Sequence, residues 1–147
     1  MSADQNLESA GKVASNPAIL YVEDDMLSRE VMKIIVTEVL GFERLMLMEA
    51  SDRFEERLAS LPYKPELFLL DIHMLPMNGF QLLELIRQHE EYRAVKIIAL
   101  TASVMSDEVR KLRSAGFDGV IAKPISQRDF PDLLHRILNG EQVWHIS

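Results

Sequence analysis

Acidic residues and one lysine stand at the ends of separate apolar stretches in this chain of 147 residues. Glu23, Asp24 and Asp25 follow the first stretch, Asp71 ends another, and Lys123 ends the last short one. An ionised carboxylate is costly to bury and rarely lies in a core without a partner. Each acid alone is compatible with the start of a helix, where negative charge is favoured. Together, the acids could bind a hard cation if the fold gathered them in one place.

The elements that would position these residues alternate regularly along the chain. Short apolar segments predict buried strands, and segments with apolar residues at helical spacing predict helices. The predicted strands are Ala18–Val22, Arg44–Glu49, Glu66–Asp71, Val95–Thr101 and Gly119–Lys123. The predicted helices are Ser28–Leu40, a segment capped by Ser51, Phe80–His89, about Ser106–Ser114, and Phe130–Leu138.

Repeated β–α units are typical of an α/β fold in which helices cover both faces of a parallel sheet. We predict a flavodoxin-like, doubly wound, five-stranded parallel sheet with the order 2-1-3-4-5. In such sheets ligands bind beyond the carboxyl ends of the strands. The order makes strands 1 and 4 neighbours of strand 3, so Glu23, Asp24, Asp71 and Thr101 should converge. Lys123 should lie two strands from Asp71, roughly 10 Å away at the backbone.

Carboxylates that share one edge repel each other, and a divalent cation would relieve that repulsion. Mg²⁺ prefers oxygen ligands, needs only one or two carboxylates and commonly shares them with a phosphate. The alternative is a solvated acidic cluster at a helix start, with Thr101 and Lys123 having no role beyond ending their strands. The predicted location of all these residues at the carboxyl edge of the sheet favours a functional site over this alternative.

Composition excludes several classes of protein. The net charge is −7, which disfavours direct binding to a nucleic-acid backbone. There is no cysteine, so disulfides and thiolate metal sites are excluded, and a reducing cytoplasm is the expected location. No apolar run approaches the ~20 residues that cross a membrane, so we expect no membrane contact. A hydrophobic content of 48% supports one substantial core.

Several of these residues occur in motifs that resemble one family. The stretch "LYVEDD" contains the acidic pair Glu23 and Asp24, "LTA" contains Thr101, and "KP" is Lys123–Pro124. With Asp71 and the turn "MNG", these motifs resemble the receiver domain of two-component response regulators from about Ala18 to Leu138.

The resemblance implies a stand-alone regulator of the chemotaxis type. Asp71 would accept a phosphoryl group from a histidine kinase or a histidine phosphotransfer protein. The regulator would then switch partner binding or relay the phosphate, and would not be an enzyme for external substrates. Mg²⁺ would be held by Glu23, Asp24, Asp71 and the backbone carbonyl of His73. Thr101 and Lys123 would contact the phosphate.

The resemblance also implies a partner surface on strand 4, helix 4 and strand 5, and a monomer or weak dimer. The Lys123–Pro124 bond is expected to be cis. Three positions depart from the family pattern: Leu75 stands where proline is usual, Pro76 follows it, and Val120 occupies the place of a common aromatic residue. Asp25 is either a helix cap or an alternative ligand.

We expect residues 1–16 to form a flexible polar tail, residues 17–140 the receiver domain, and residues 141–147 a short tail whose Trp144 packs on the body.

Three other functions are alternatives to this interpretation. A haloacid dehalogenase-type phosphatase would need a second acid where His73 stands, and a flavin-binding flavodoxin would need a phosphate loop after strand 1. The stronger alternative is a pseudo-receiver, a scaffold of the same fold that binds partners without being phosphorylated.

Overall fold

The computed structural model describes residues 16–145 as backbone and residues 16–144 with their side chains. The predicted flexible tail lies outside these residues, apart from Asn16. Asn16 is tied to the body, because its side-chain oxygen accepts a hydrogen bond from the Glu43 backbone N–H at 2.7 Å. No helix in the described part of the chain is long and apolar enough to cross a membrane.

Strands and helices alternate along the chain as predicted. The strands are β1 (Ala18–Val22), β2 (Arg44–Met48), β3 (Leu67–Asp71), β4 (Lys96–Thr101), β5 (Gly119–Ala122) and β6 (Val143–His145). The helices are α1 (Met26–Lys33), α2 (Phe54–Ala59), α3 (Gly79–Arg87), α4 (Ser106–Ala115) and α5 (Phe130–Leu138). Helix α1 continues into a π-helical segment, Ile34–Val39, and a 3₁₀ turn, Glu90–Tyr92, follows α3.

All strand pairs are parallel, and the order in the sheet is β2-β1-β3-β4-β5-β6. The predicted doubly wound order is therefore confirmed. The sixth strand was not predicted: Val143 pairs with Gly119 and Trp144 pairs with Val120. This segment was expected to be a short tail, although Trp144 does pack on the body as expected.

The period-two alternation of side chains in strands divides the core into two layers. Leu20 and Val22 of β1 point into the layer that also contains Phe54 of α2 and Leu82 of α3. Ile19 and Tyr21 point into the opposite layer, which contains apolar residues of α1 and α5. The continuous burial of β1 and β3 explains why these strands read as unbroken apolar runs.

Helix starts near the sheet edge are fixed by side-chain caps. The Asp25 carboxylate accepts a hydrogen bond from the Ser28 backbone N–H at 2.8 Å and so caps α1. Asn78 and Gln81 form a reciprocal capping box at the start of α3. The prediction that Ser51 caps a helix was wrong: Ser51 is buried, and its hydroxyl accepts a hydrogen bond from Met77 N–H at 2.9 Å.

Candidate functional site

The acids of the first and third strands meet at the carboxyl end of the sheet. Val22 pairs with Leu70, so Glu23 and Asp71 each follow one residue later on neighbouring strands. Glu23 is 0% exposed and Asp71 is 4% exposed, whereas Asp24 is exposed. One carboxylate oxygen from each of these three residues lies within 4.8 Å of the others. The strand order therefore brings together the three acids that the sequence analysis singled out.

Lys123 reaches the acids from the end of β5. Its ammonium Nζ donates to Glu23 Oε1 at 2.9 Å and lies 3.5 Å from Asp71 Oδ1. The lysine stem thus spans the gap of two strands that the sheet order predicted. The Lys123–Pro124 peptide bond is cis, as expected from the resemblance, and Leu75–Pro76 is cis as well.

Glu23 is enclosed by donors on both of its carboxylate oxygens. The Tyr21 hydroxyl donates to Oε1 at 2.7 Å, beside the Lys123 ammonium. The Asp25 backbone N–H donates to Oε2 at 3.2 Å. The Arg29 guanidinium donates to the Glu23 backbone carbonyl at 2.8 Å, so α1 also holds this residue. These bonds explain how an acid with no exposed surface is tolerated.

The pKa shifts follow from the same contacts. Burial acts to lower the pKa of Lys123, but the hydrogen bond that its ammonium donates to Glu23 and the charge of Asp71 outweigh burial, so the net shift of the pKa is upward. Burial raises the pKa of the Tyr21 hydroxyl far above its usual value, and the charge of Glu23 adds to this. Tyr21 therefore stays protonated and remains a donor. Hydrogen bonds from Ser28 hold the pKa of Asp25 below its usual value.

Thr101 ends β4 beside the acidic cluster. Asp71 pairs with Leu100, so Thr101 lies one residue further along the adjacent strand and is buried. Its Oγ1 accepts a hydrogen bond from Ser103 N–H at 3.1 Å. The hydroxyl hydrogen of Thr101 is not used by that bond and can serve another acceptor.

Two predicted residues take no part in the cluster through their side chains. His73 has an exposed side chain in the loop after β3, and the role of its carbonyl remains a prediction. Asp25 serves as the cap of α1, and it does not belong to the described cluster of Glu23, Asp24 and Asp71.

Sequence reasoning missed two contacts that shape this edge, although it identified the turn "MNG" that ends in Gly79. Tyr21 was read only as part of an apolar strand, although its position two residues before Glu23 placed both side chains on one face of β1. Gly79 begins α3 against the backbone of β3: a Cβ there would lie 2.6 Å from Ile72 Cδ1 and 3.1 Å from the Asp71 carbonyl oxygen. The absence of a side chain at Gly79 thus lets α3 start close to Asp71.

The donor set fits Mg²⁺. All the ligand atoms offered by Glu23, Asp24 and Asp71 are carboxylate oxygens, the hard donors that this ion prefers. The positive charge of Lys123 offsets one of the three formal negative charges of these acids. Two negative charges remain, so binding of a divalent cation is still favoured.

Solved structures with the same fold include bacterial signalling domains. The chemotaxis response regulator CheY4 of Vibrio cholerae superimposes with a TM-score of 0.74 at 18% identity, covering 83% of this chain and 98% of that one. The receiver domain of a sensor histidine kinase from Pseudomonas aeruginosa gives a TM-score of 0.71 at 25% identity, covering 85% and 99%. That structure has a magnesium ion coordinated in its active-site cleft.

Sequence relatives give the same assignment. The polar-differentiation response regulator DivK of Brucella ovis is 27% identical over 124 residues, which are 82% of this chain and 95% of DivK. The signal transduction histidine-protein kinase BarA of Shigella flexneri is 28% identical over 125 residues. That match covers 85% of this chain but spans only 13% of the kinase. The family model of the response regulator receiver domain matches residues 19–135. The chain therefore belongs to the response regulator receiver domain family.

Proposed function

We propose that this receiver domain accepts a phosphoryl group on Asp71 from a phosphohistidine of a histidine kinase or a histidine phosphotransfer protein. The observation that carries this proposal is the position of Asp71, a nearly buried carboxylate at the strand end with two further acids and the Lys123 ammonium beside it. The domain would act on its own side chain and would not turn over an external substrate.

The transfer replaces one bond to phosphorus with another. An Asp71 carboxylate oxygen attacks the phosphorus atom, an O–P bond forms, and the N–P bond of the phosphohistidine breaks. The bonding electrons return to the imidazole nitrogen of the donor. Lys123, already 3.5 Å from Asp71 Oδ1, supplies a positive charge to the incoming phosphoryl oxygens.

Glu23, Asp24 and Asp71 would hold Mg²⁺, with the His73 carbonyl as a further proposed ligand. When bound, the ion supplies positive charge that screens the phosphoryl oxygens. Glu23 is fixed for this task by its hydrogen bonds, whereas the exposed side chain of Asp24 remains free to adjust.

Thr101 would convert phosphorylation into a structural change. Its hydroxyl hydrogen can bond a phosphoryl oxygen that does not exist before transfer. One hydrogen bond to a charged group contributes about 1.5–3 kcal/mol. The Thr101 bond and one further bond to the phosphoryl group would together contribute about 3–6 kcal/mol. Reversal of a two-state equilibrium from 1:99 to 99:1 needs about 5.5 kcal/mol. The expected bonds are therefore of the right size to drive a switch.

Partners would approach the carboxyl edge and the face formed by β4, α4 and β5. The loops after β3 and β4 carry the exposed apolar side chains of Leu75 and Met105, and the start of α1 carries those of Met26 and Leu27. Such side chains near a charged site are typical of interaction surfaces. Strand β6 borders β5, so a partner on that face would also meet Trp144. We propose a monomer or weak dimer in solution.

Intact-mass spectrometry after incubation with acetyl phosphate and Mg²⁺ tests the proposal. The native chain should gain the mass of one phosphoryl group, and Asp71→Asn should gain none. Asp107→Asn is the matched control, because Asp107 is an exposed acid on α4. It should be phosphorylated like the native chain, and chelation of Mg²⁺ should abolish the gain in both.

The absence of a gain on the native chain, or an equal gain on Asp71→Asn, would contradict the proposal. The pseudo-receiver alternative predicts the first of these results. The assembled cluster of acids and lysine gives that alternative no support. A pull-down with phosphorylated and unphosphorylated protein would then separate a switch from a relay.

A further inference from the structure

Tyr21 lies beneath the acidic cluster, on the strand that carries Glu23. Its side chain is fully buried in the core layer that also contains Met32 of α1 and Ile35 of the π-helical segment. Its hydroxyl donates to Glu23 Oε1 at 2.7 Å, one of the shortest contacts in the site. Tyrosine hydroxyls usually find a hydrogen-bond partner when buried, but here the partner is one of the proposed metal ligands.

The distribution of donors over the Glu23 carboxylate is uneven. Each carboxylate oxygen has about two acceptor positions. Tyr21 and Lys123 fill both positions of Oε1, at 2.7 and 2.9 Å. Within residues 16–144, Oε2 accepts only from the Asp25 backbone N–H at 3.2 Å, so Oε2 is the oxygen with an acceptor position to spare.

Glutamate needs this support more than aspartate would. Its side chain has one more methylene group and therefore one more rotatable bond, whose freedom is lost when the carboxylate is fixed. Tyr21 has only two rotatable side-chain bonds and is packed in the core, so its hydroxyl is a rigid anchor. Lys123 cannot provide the same anchor alone, because its ammonium is shared with Asp71.

We propose that Tyr21 is a positioning residue for the Mg²⁺ site, and that its hydroxyl fixes the Glu23 carboxylate with Oε2 available to the ion. This inference rests on the proposed function, since it assumes that Glu23 helps to bind Mg²⁺. Hydrogen-bond partners of metal ligands typically change metal affinity by about 10–100-fold when they are removed. Tyr21→Phe should therefore weaken Mg²⁺ binding by about 10-fold or more.

A purely structural role makes a different prediction. In that case the hydroxyl would only satisfy its own need for a partner, and Tyr21→Phe would change stability without changing Mg²⁺ affinity. The two roles separate in a double-mutant cycle with Glu23→Asp. Aspartate is one methylene shorter, so its carboxylate would be withdrawn from the Tyr21 hydroxyl while remaining a possible metal ligand.

The experiment measures the Mg²⁺ dissociation constant from the backbone amide NMR signals of the folded full-length chain. Because the signals of folded molecules are resolved from those of unfolded ones, partial unfolding of a variant does not hide the result. Tyr21→Phe should raise the constant about 10-fold in the native background and by less than 2-fold in the Glu23→Asp background. Tyr92→Phe, which alters a tyrosine buried in the opposite core layer, is the control and should leave it unchanged.

Phosphorylation by acetyl phosphate gives the second measurement. Tyr21→Phe should need about 10-fold more Mg²⁺ for the half-maximal rate, and the maximal rate should recover at saturating Mg²⁺. A dissociation constant within 2-fold of the native value, or an equal loss in both Glu23 backgrounds, would overturn the role of Tyr21. Failure of the native chain to bind Mg²⁺ would instead overturn the proposed function, so the two failures can be told apart.

Discussion

Replacement of Lys123 by methionine tests the electrostatic balance of the site directly. The Lys123 ammonium is the only cation that an ion pair or hydrogen bond joins to Glu23 or Asp71 side chains within residues 16–144. Methionine keeps much of the stem and removes the charge. Two buried carboxylates would then lose their common partner while Asp24 remains nearby.

The expected cost follows from the two distances. At an effective dielectric constant of about 20, unit charges separated by 2.9 and 3.5 Å attract each other by about 5–6 kcal/mol per pair. The cost of dehydrating the lysine on folding opposes this attraction. The net loss of folding free energy on removal of the charge is therefore smaller than the attraction. Removal of one partner from a buried ion pair typically costs about 3–5 kcal/mol. We therefore expect Lys123→Met to lower the free energy of unfolding by about 3–5 kcal/mol without Mg²⁺.

Urea denaturation with and without Mg²⁺ measures this effect. A ligand that binds only the folded state stabilises it in proportion to the logarithm of its concentration over its dissociation constant. The variant site carries one more net negative charge, so Mg²⁺ should stabilise Lys123→Met more than the native chain. Lys111→Met is the control, because Lys111 is exposed on α4. The reasoning would be refuted if Lys123→Met matched the native stability, or if Mg²⁺ stabilised both proteins equally.

Three further predictions concern pH, capping and the added strand. The pKa of Lys123 is raised in the folded state above its ordinary value of 10.5, so the stabilisation by its charge is complete below about pH 10.5 and is lost as the pH rises through the folded-state pKa. In urea denaturation, the difference in the free energy of unfolding between the native chain and Lys123→Met should therefore shrink in that alkaline range. Asn78→Ala should remove the cap of α3 and cost about 0.5–2 kcal/mol in thermal or urea unfolding; an unchanged midpoint would contradict this. Gly119→Ala would place a Cβ against the Val143 carbonyl, so β6 should detach from β5. The fluorescence emission of Trp144, the single tryptophan, should then shift to the red, and an unchanged spectrum would contradict this prediction.

The positions of the acids could be predicted because they depend on simple patterns. Unbroken apolar runs define β1 and β3, and residues that follow such runs in a parallel sheet share one edge. The strand order then places Glu23 and Asp71 side by side without any knowledge of side-chain conformation. The reach of Lys123 followed from the sheet spacing and the length of its stem.

Other features depend on contacts that no local pattern reveals. Strand β6 has only three residues, and it pairs with β5 because Gly119 leaves room for the Val143 backbone. Trp144 is held there by the Arg113 guanidinium, 4.2 Å from its ring centroid, which is a contact between distant parts of the sequence. The capping role assigned to Ser51 failed for a similar reason, since its hydroxyl bonds Met77 in another loop.

The charge of the site links its stability to its proposed chemistry. Glu23, Asp24, Asp71 and Lys123 together carry a formal charge of about −2, which one divalent cation would cancel. A phosphoryl group on Asp71 would replace one negative charge with about 1.5–2 and would renew the demand for positive charge. Lys123, whose ammonium already contacts both Glu23 and Asp71, would help to meet that demand. Because Tyr21 and the Asp25 N–H also satisfy Glu23, the lysine can move toward a phosphoryl group without leaving a buried carboxylate unpartnered. The bonds that make Glu23 tolerable in the core would therefore also free Lys123 for the proposed reaction.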